Sequence, residues 1–134
     1  MIVTDHHHPD PENFPEKAIA VLNPKKVNCP YPEKELSGVA VVFKLISALI
    51  SIIYKKNPEK ISSFLETYLE IVAIGLVGDC VPLTGENRIL VKAGIEKLKT
   101  TSWNGLKNLL ERNSIDPDNI DTDTIGFCIA PRLN

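Results

Sequence analysis

An aspartate followed by three histidines stands near the start of the chain, directly after a short apolar run. These residues are Asp5, His6, His7 and His8, in the stretch VTDHHHPDPENFP. Imidazole and carboxylate groups together suit borderline divalent ions such as manganese, zinc or iron. Because neighbouring side chains of an extended chain point to opposite sides, the histidine run supplies at most two ligands of one ion. A metal site therefore needs a further ligand from elsewhere in the sequence.

Asp79, in the stretch LVGDCVPL, is the best candidate for that ligand. It is a lone carboxylate in an apolar run at the end of a predicted helix, where we expect a buried, unpaired charge to be costly. A bound metal would remove that cost. Simpler interpretations stay open: the three histidines are also consistent with a cloning remnant or a solvated loop, and Asp79 with a helix cap.

Two short strands and four helices are predicted to position these side chains. Residues 1–4 are typical of the end of a strand, and residues 18–22 of a second strand, with proline-rich irregular segments after each. The predicted helices span residues 36–54, 59–77, 85–99 and 103–113. For the first helix two starts stay open: Ser37 is its N-cap, or Glu35 and Leu36 already belong to its first turn. Thr84 is the candidate N-cap of the third. The first has apolar positions three or four residues apart, which is typical of a core helix and not of a membrane span.

This order of elements predicts an α/β fold with a few parallel strands plus about four helices. Two strands do not form a stable sheet by themselves. We therefore expect the chain to be the C-terminal part of a larger α/β domain.

The composition excludes several functional classes. Fifteen Lys and Arg against 17 Asp and Glu give a net charge of −2, so no basic field marks a nucleic-acid-binding protein. The N-terminus lacks the pattern of a signal peptide, and the three cysteines form no CxxC motif, so we expect a cytoplasmic protein with reduced thiols. The acidic stretch IDPDNIDTDT lacks the Gly and terminal Glu of a calcium loop and is expected to be a solvated linker.

Four sequence blocks in matching order carry a family resemblance. They are IVTDHH at 2–7, VLNPKKVNCPYPEKELSGVAVVFKL at 21–45, GLVGDCVPLTGENRILVKAGI at 75–95 and IGFCIAPRLN at 125–134. Together they resemble the DHH phosphoesterase family, and within it the RecJ-type single-strand-specific exonucleases, over essentially the whole chain. The resemblance implies a fragment of a metal-dependent exonuclease that digests single-stranded DNA from its 5′ end and spans the third and fourth catalytic motifs.

The resemblance also implies a role for each matching residue. His6 and Asp79 would ligate a divalent metal, usually Mn²⁺ or Mg²⁺ in this family. His7 would face the scissile phosphate, and Asp5 would orient the two histidines. His8 falls where the family pattern is loose and receives no role. The implied mechanism is phosphodiester hydrolysis with two metal ions.

Two arginines in the matching blocks are candidate substrate-binding residues. Arg88 in GENR and Arg132 in APRLN would contact phosphates of the DNA. A surface or helix-end salt bridge explains either residue equally well.

The chain departs from the family at both ends. The family's first motif, Asp-x-Asp, and its second, another Asp, precede the DHH block, and here only four residues precede it. The arginine-bearing block ends at Asn134, before the family's connecting helix and substrate-binding domain. We therefore expect residues 1–134 to be a partial DHH catalytic domain without appreciable nuclease activity alone. Whether a complementing N-terminal chain supplies the other half stays open.

Two functional interpretations from different classes follow. A piece of a metal-dependent nuclease requires His6 and Asp79 to converge, with open ligand positions beside them. A non-catalytic structural or interaction remnant would instead offer a sheet edge or an apolar face to a partner chain. The distance between His6 and Asp79 discriminates between the two.

Overall fold

The computed structural model describes residues 1–55 and 57–133. In this part of the chain, a two-stranded parallel sheet is followed by five α-helices and three shorter helical segments. The elements are β1 (Ile2–Thr4), β2 (Ala20–Leu22), α1 (Gly38–Ile53), α2 (Pro58–Glu66), α3 (Leu69–Gly78), α4 (Gly85–Lys99), α5 (Asn104–Arg112), the 3₁₀ turns Pro117–Asn119 and Ala130–Arg132, and the π-helix Thr124–Ile129. The predicted α/β class with parallel strands is confirmed.

The two strands end side by side. Ile2 pairs with Ala20 and Thr4 with Leu22 in parallel register, and the amide of Asp5 continues the ladder by donating to the Leu22 carbonyl. Side chains that follow parallel strands collect at the carboxyl edge of a sheet. The histidine run after β1 and the polar residues after β2 therefore share one edge.

Helix α1 begins at the first of the two predicted starts, after a buried serine cap, and Glu35 and Leu36 lie outside it. The Ser37 side chain accepts a hydrogen bond from the Ala40 amide at 3.4 Å, which satisfies one of the free donors of the first turn. One turn of α1 lies close against α3, because Val39 occupies the space above Gly75, where a Cβ would overlap it. Glycine at position 75 thus sets how closely α1 and α3 approach.

The single helix predicted over residues 59–77 is wrong, since the chain bends by 46° between α2 and α3. The amides of Thr67 and Tyr68 bond back only three residues, to Phe64 and Leu65, which tightens the turn. The indole of Trp103 donates to the freed Thr67 carbonyl, and its ring lies 6.1 Å from that of Tyr68. A partner distant in sequence therefore stabilises the break.

Helix α3 lies between two hydrophobic clusters. Val72 and Leu76 join α1 and α4 in the first cluster, whereas Ile74 faces the second. The second cluster is completed by residues of α4, α5 and the C-terminal segments, namely Leu98, Leu106, Leu110, Ile120, Ile125 and Ile129. α3 thus carries its apolar residues all round, as a buried helix does.

Within residues 1–55 and 57–133, no helix alone has the length and apolar character needed to cross a bilayer. Helices α2 and α3 together meet those criteria by length and composition only.

Candidate metal site at the carboxyl edge of the sheet

His6 leaves β1 with its ring turned toward the ends of two helices. Its side chain is only 14% exposed, and Nε2 lies 3.2 Å from Oδ2 of Asp79. The start of α1 covers the ring, since a Cβ on Gly38 would lie 3.5 Å from Cδ2 of His6. Nδ1 is buried, and no described residue offers it a hydrogen-bond partner. A buried ring nitrogen without a partner is uncommon in folded proteins and marks this ring for a functional explanation.

Asp79 follows the last residue of α3 and lies beside the first turn of α1. Its amide donates to the Gly75 carbonyl, and its Oδ2 accepts a 3.4 Å hydrogen bond from the Gly38 amide. The side chain is 40% exposed. The expectation of a buried, unpaired carboxylate is therefore wrong: Asp79 lies beyond the apolar turns of α3, where solvent and the positive N-terminal end of α1 stabilise its charge.

The two facing atoms fit adjacent ligands of one divalent ion. Ligands at right angles around an ion, each at about 2.1 Å, are about 3 Å apart. The 3.2 Å between His6 and Asp79 is close to this value. Among the described residues, however, no cluster of three or more His, Cys, Asp or Glu side chains has the geometry of a metal site. The described chain thus provides two donors and leaves further ligand positions to other groups.

Asp5 organises the histidine loop through three hydrogen bonds to one oxygen. Its Oδ1 accepts from the His6 amide at 2.8 Å and the His7 amide at 3.3 Å, and it lies 2.8 Å from Nδ1 of His7. Burial tends to raise the pKa of Asp5, but the hydrogen bonds from His7 and from the His6 amide outweigh it and lower that pKa below its usual value. Because an ionised carboxylate only accepts, His7 carries a proton on Nδ1. Its ring is 78% exposed, and His8 is exposed as well.

Asn23, which no sequence motif marked as functional, fixes the same loop from the end of β2. Its Nδ2 donates to the His7 carbonyl at 2.9 Å, and its Oδ1 accepts from the Lys25 amide at 2.8 Å. The side chain is buried. Its sequence signals were the Asn-Pro step that closes a predicted strand and its place in the block at 21–45 that carries the family resemblance.

The two candidate arginines lie apart from the histidine–aspartate pair. Arg88 is exposed on α4 and lines a shallow cleft with Lys92 and Glu96. Arg132 donates through Nη1 to the Cys128 carbonyl. Neither arginine forms a hydrogen bond or ion pair with a carboxylate among the described residues.

A cleft of about 720 Å³ opens directly beside Asp79. The end of α3 forms one wall. The π-helix forms the other, together with Pro131 and Leu133, the residues on either side of Arg132. A Cβ on Gly78 would lie 3.2 Å from Ala130, so small residues keep the two walls close. No periodic pattern in the sequence predicts this second wall.

Comparison with known proteins supports the resemblance. Residues 1–76 match the profile of the DHH family, N-terminal domain. The whole chain is 41% identical to the single-stranded-DNA-specific exonuclease RecJ of Bacillus subtilis and covers 15% of it. It is 38% identical to RecJ of Salmonella typhimurium, covering 24% of that protein. Its fold is similar to a crystal structure of exonuclease RecJ bound to manganese, with a TM-score of 0.77 and 32% identity over 99% of this chain and 31% of the other. The chain thus spans less than a third of each relative.

Proposed function

The chain belongs to the DHH family, and we propose that it forms part of the catalytic domain of a RecJ-type, metal-dependent exonuclease acting on single-stranded DNA. The observation that carries the proposal is the 3.2 Å approach of His6 Nε2 to Asp79 Oδ2, at the sheet edge where α/β folds bind ligands. The names of the relatives supply the substrate class and the strand type. The 5′-to-3′ direction rests on the family resemblance alone.

His6 and Asp79 would hold Mn²⁺ or Mg²⁺, as ligands from the family's third and fourth motifs. The donor spacing supports this assignment, and so does the manganese bound to RecJ in the similar crystal structure. When bound, divalent ions in such sites activate water and neutralise the charge that develops on a phosphodiester. A two-ion site needs more donors than these two.

His7 and Asp5 would act together at the scissile phosphate. The Asp5 carboxylate holds the proton on Nδ1 of His7 and stabilises the ring when it is also protonated on Nε2. That second N–H would donate to a phosphate oxygen and pass its proton to the leaving oxygen. The ring then returns to the neutral form, with Nδ1 still bonded to Asp5.

Arg88 and Arg132 would bind phosphates of the strand. Neither guanidinium lines the cleft that contains Asp79, so both assignments rest on the family resemblance. The charged guanidinium is suited to phosphate oxygens.

We propose that residues 1–134 alone have no appreciable nuclease activity. Two described donors leave an ion ligated mostly by solvent. A complementing chain with the remaining carboxylates would restore the site. The sheet offers it a place, since within the described residues β1 and β2 each pair on one side only.

The second interpretation, a non-catalytic remnant that binds a partner chain, is favoured by the same open strand edges and by exposed apolar residues such as Ile2 and Ile19. It predicts self-association or partner binding without metal affinity.

Calorimetric titration of the purified chain with Mn²⁺ tests the metal site. We expect binding that His6→Ala and Asp79→Ala each weaken at least about tenfold, because each removes one of the two donors. His8→Ala is the matched control, since its exposed ring has no assigned role, and it should bind like the wild type. Wild-type chain that binds no Mn²⁺, or binding that only His8→Ala weakens, would contradict the assignment.

A further inference from the structure

An exposed aromatic side chain on the cleft beside Asp79 has no part in the proposed metal site. Phe127 lines this cleft and is 79% exposed. The other aromatic residue among the exposed large hydrophobics, Trp103, is only 38% exposed and contacts Tyr68. In the described part of the chain, Phe127 has no aromatic partner of this kind.

The fold holds Phe127 outward on a rigid base. Ile125 and Ile129, on either side of it in the π-helix, are fully buried in the second hydrophobic cluster. Asp121 fixes the start of the segment, because its Oδ1 accepts from both the amide and the hydroxyl of Thr124. π-helical turns are rare and are frequent at functional sites. The ring is thus presented by an anchored segment and not by a loose tail.

The chemistry of the cleft suits a flat, uncharged group. Its surface is largely apolar, and its ionisable lining groups include the carboxyl groups of Asp79 and Asp123. Carboxylates repel a phosphate that enters the cleft unaccompanied, whereas an apolar wall with an aromatic rim accepts the face of a nucleobase. Asp79 also reaches His6, so the cleft is continuous with the proposed metal site. A nucleotide whose phosphate lies at His6 and Asp79 would have a neighbouring base at Phe127.

We propose that Phe127 is the stacking platform for a base of the single-stranded DNA substrate. The inference rests on the proposed function and adds a substrate-binding residue to it. Aromatic stacking tolerates every base, since each has a π-face. Phe127 would therefore bind the strand without reading its sequence.

The test measures binding by fluorescence anisotropy, in Mn²⁺, of two labelled oligomers of equal length: oligothymidylate and an abasic deoxyribose-phosphate chain. Wild-type protein should bind the base-bearing oligomer about tenfold more tightly, the effect of one stacked base. Phe127→Ala should abolish this difference, and Phe127→Trp should keep it. Ile89→Ala is the matched control, because Ile89 is 68% exposed on α4 and does not line the cleft.

The outcomes separate this proposal from the proposed function. Equal affinity of the wild type for the two oligomers, or a Phe127→Ala variant that keeps the difference, overturns the platform even where Mn²⁺ binding depends on His6 and Asp79. Wild-type protein that binds no Mn²⁺ contradicts the metal site instead, and base-dependent binding lost in Phe127→Ala would still support the platform. Because Phe127 is exposed, its replacement should leave the fold intact, and circular dichroism of each variant checks this.

Discussion

At the scale of single residues, two adjacent histidine side chains contact two different carboxylates. Asp5 bonds the Nδ1 side of His7, while His6 turns toward Asp79. The two rings are 4.4 Å apart and tilted by 50°, so they present different nitrogens to different neighbours. The strict alternation expected from the sequence is not observed, because Asp5 closes a turn: its carboxylate accepts from the amides of both His6 and His7 and brings the two rings close together.

Replacing Asp5 with asparagine should change the tautomer of His7. The wild-type carboxylate only accepts, so neutral His7 should carry its proton on Nδ1, whereas an amide can also donate and would permit both tautomers. Long-range ¹H–¹⁵N correlation spectra of the neutral imidazoles at alkaline pH measure the ratio of the two tautomers, which we expect to move from one dominant form toward a mixture. Identical His7 nitrogen shifts in the two proteins would show that Asp5 does not orient the ring.

The sequence predicts the meeting of His6 and Asp79 through the isolation of Asp79 in an apolar run and through the family resemblance, because no local pattern specifies where the C-terminal end of a helix lies relative to a strand. The exposure of Asp79 was not predictable, since it depends on where the last turn of α3 lies relative to α1. The exposed position of Phe127 was not predictable for a different reason: a π-helix has neither the period of a strand nor that of an α-helix, so its outward residue leaves no pattern.

At the scale of elements, glycine decides how closely the central helices pack. A Cβ on Gly94 of α4 would overlap the Leu69 carbonyl oxygen and the Ala73 side chain of α3. Backbone cannot move aside as a flexible side chain can. Gly105 of α5, by contrast, has open space at the same position.

Gly94→Ala and Gly105→Ala should therefore shift stability in opposite directions. We expect Gly94→Ala to lower the free energy of unfolding by about 1–3 kcal/mol through overpacking. Gly105→Ala should raise it by up to about 0.5 kcal/mol, since alanine has the better helix propensity and Gly105 is the second residue of α5, where the gain is smaller than in a helix interior. Urea denaturation of the two variants measures both changes. A Gly94→Ala protein as stable as the wild type would mean that α3 and α4 can move apart without a loss of free energy of unfolding.

The break between α2 and α3 shows the limit of prediction at this scale. The apolar stripe continues through residues 59–77, and nothing local ends it. The contact that stabilises the bend comes from Trp103, 36 residues after Thr67. A local hydrophobic pattern cannot indicate a contact with a residue so distant in the sequence.

At the scale of the whole molecule, one charged cluster joins three separate parts of the chain. Glu86 on α4 accepts from the Tyr31 hydroxyl in the loop after β2 and from the Lys44 ammonium on α1, at 3.1 Å for the latter. Burial tends to raise the pKa of Glu86, but the bonds from Tyr31 and Lys44 outweigh it and lower that pKa below its usual 4.5. A carboxyl group whose pKa is lowered by folding stabilises the fold fully at pH values above its pKa in the unfolded state. This contribution is lost as the pH falls through its pKa in the folded state.

Glu86→Gln should accordingly make the stability of the protein depend less on pH in the acid range. At pH 7 we expect the melting temperature to fall by about 3 °C, because a partly exposed, charge-assisted pair contributes modestly. Below about pH 4.5 the difference from the wild type should shrink, as protonation removes the same interaction from the wild type. Glu111→Gln, at an exposed site on α5, is the control. A gap that stays constant from about pH 7 to about pH 3 would exclude the ionised Glu86 as its cause.

The contact of Val39 with Gly75 has a consequence for ion selection in the proposed metal site. Gly75 lies one turn before Asp79 and accepts its amide, and Val39 follows Gly38, which donates to the Asp79 carboxylate. In the proposed metal site, the distance between the His6 imidazole and the Asp79 carboxylate would therefore depend on how closely α1 and α3 pack, one turn of α3 before Asp79. A bulkier residue at position 75 would widen that span and favour a cation of larger radius. The selectivity of the proposed site between ions of similar charge would then depend on a residue that contacts no ion.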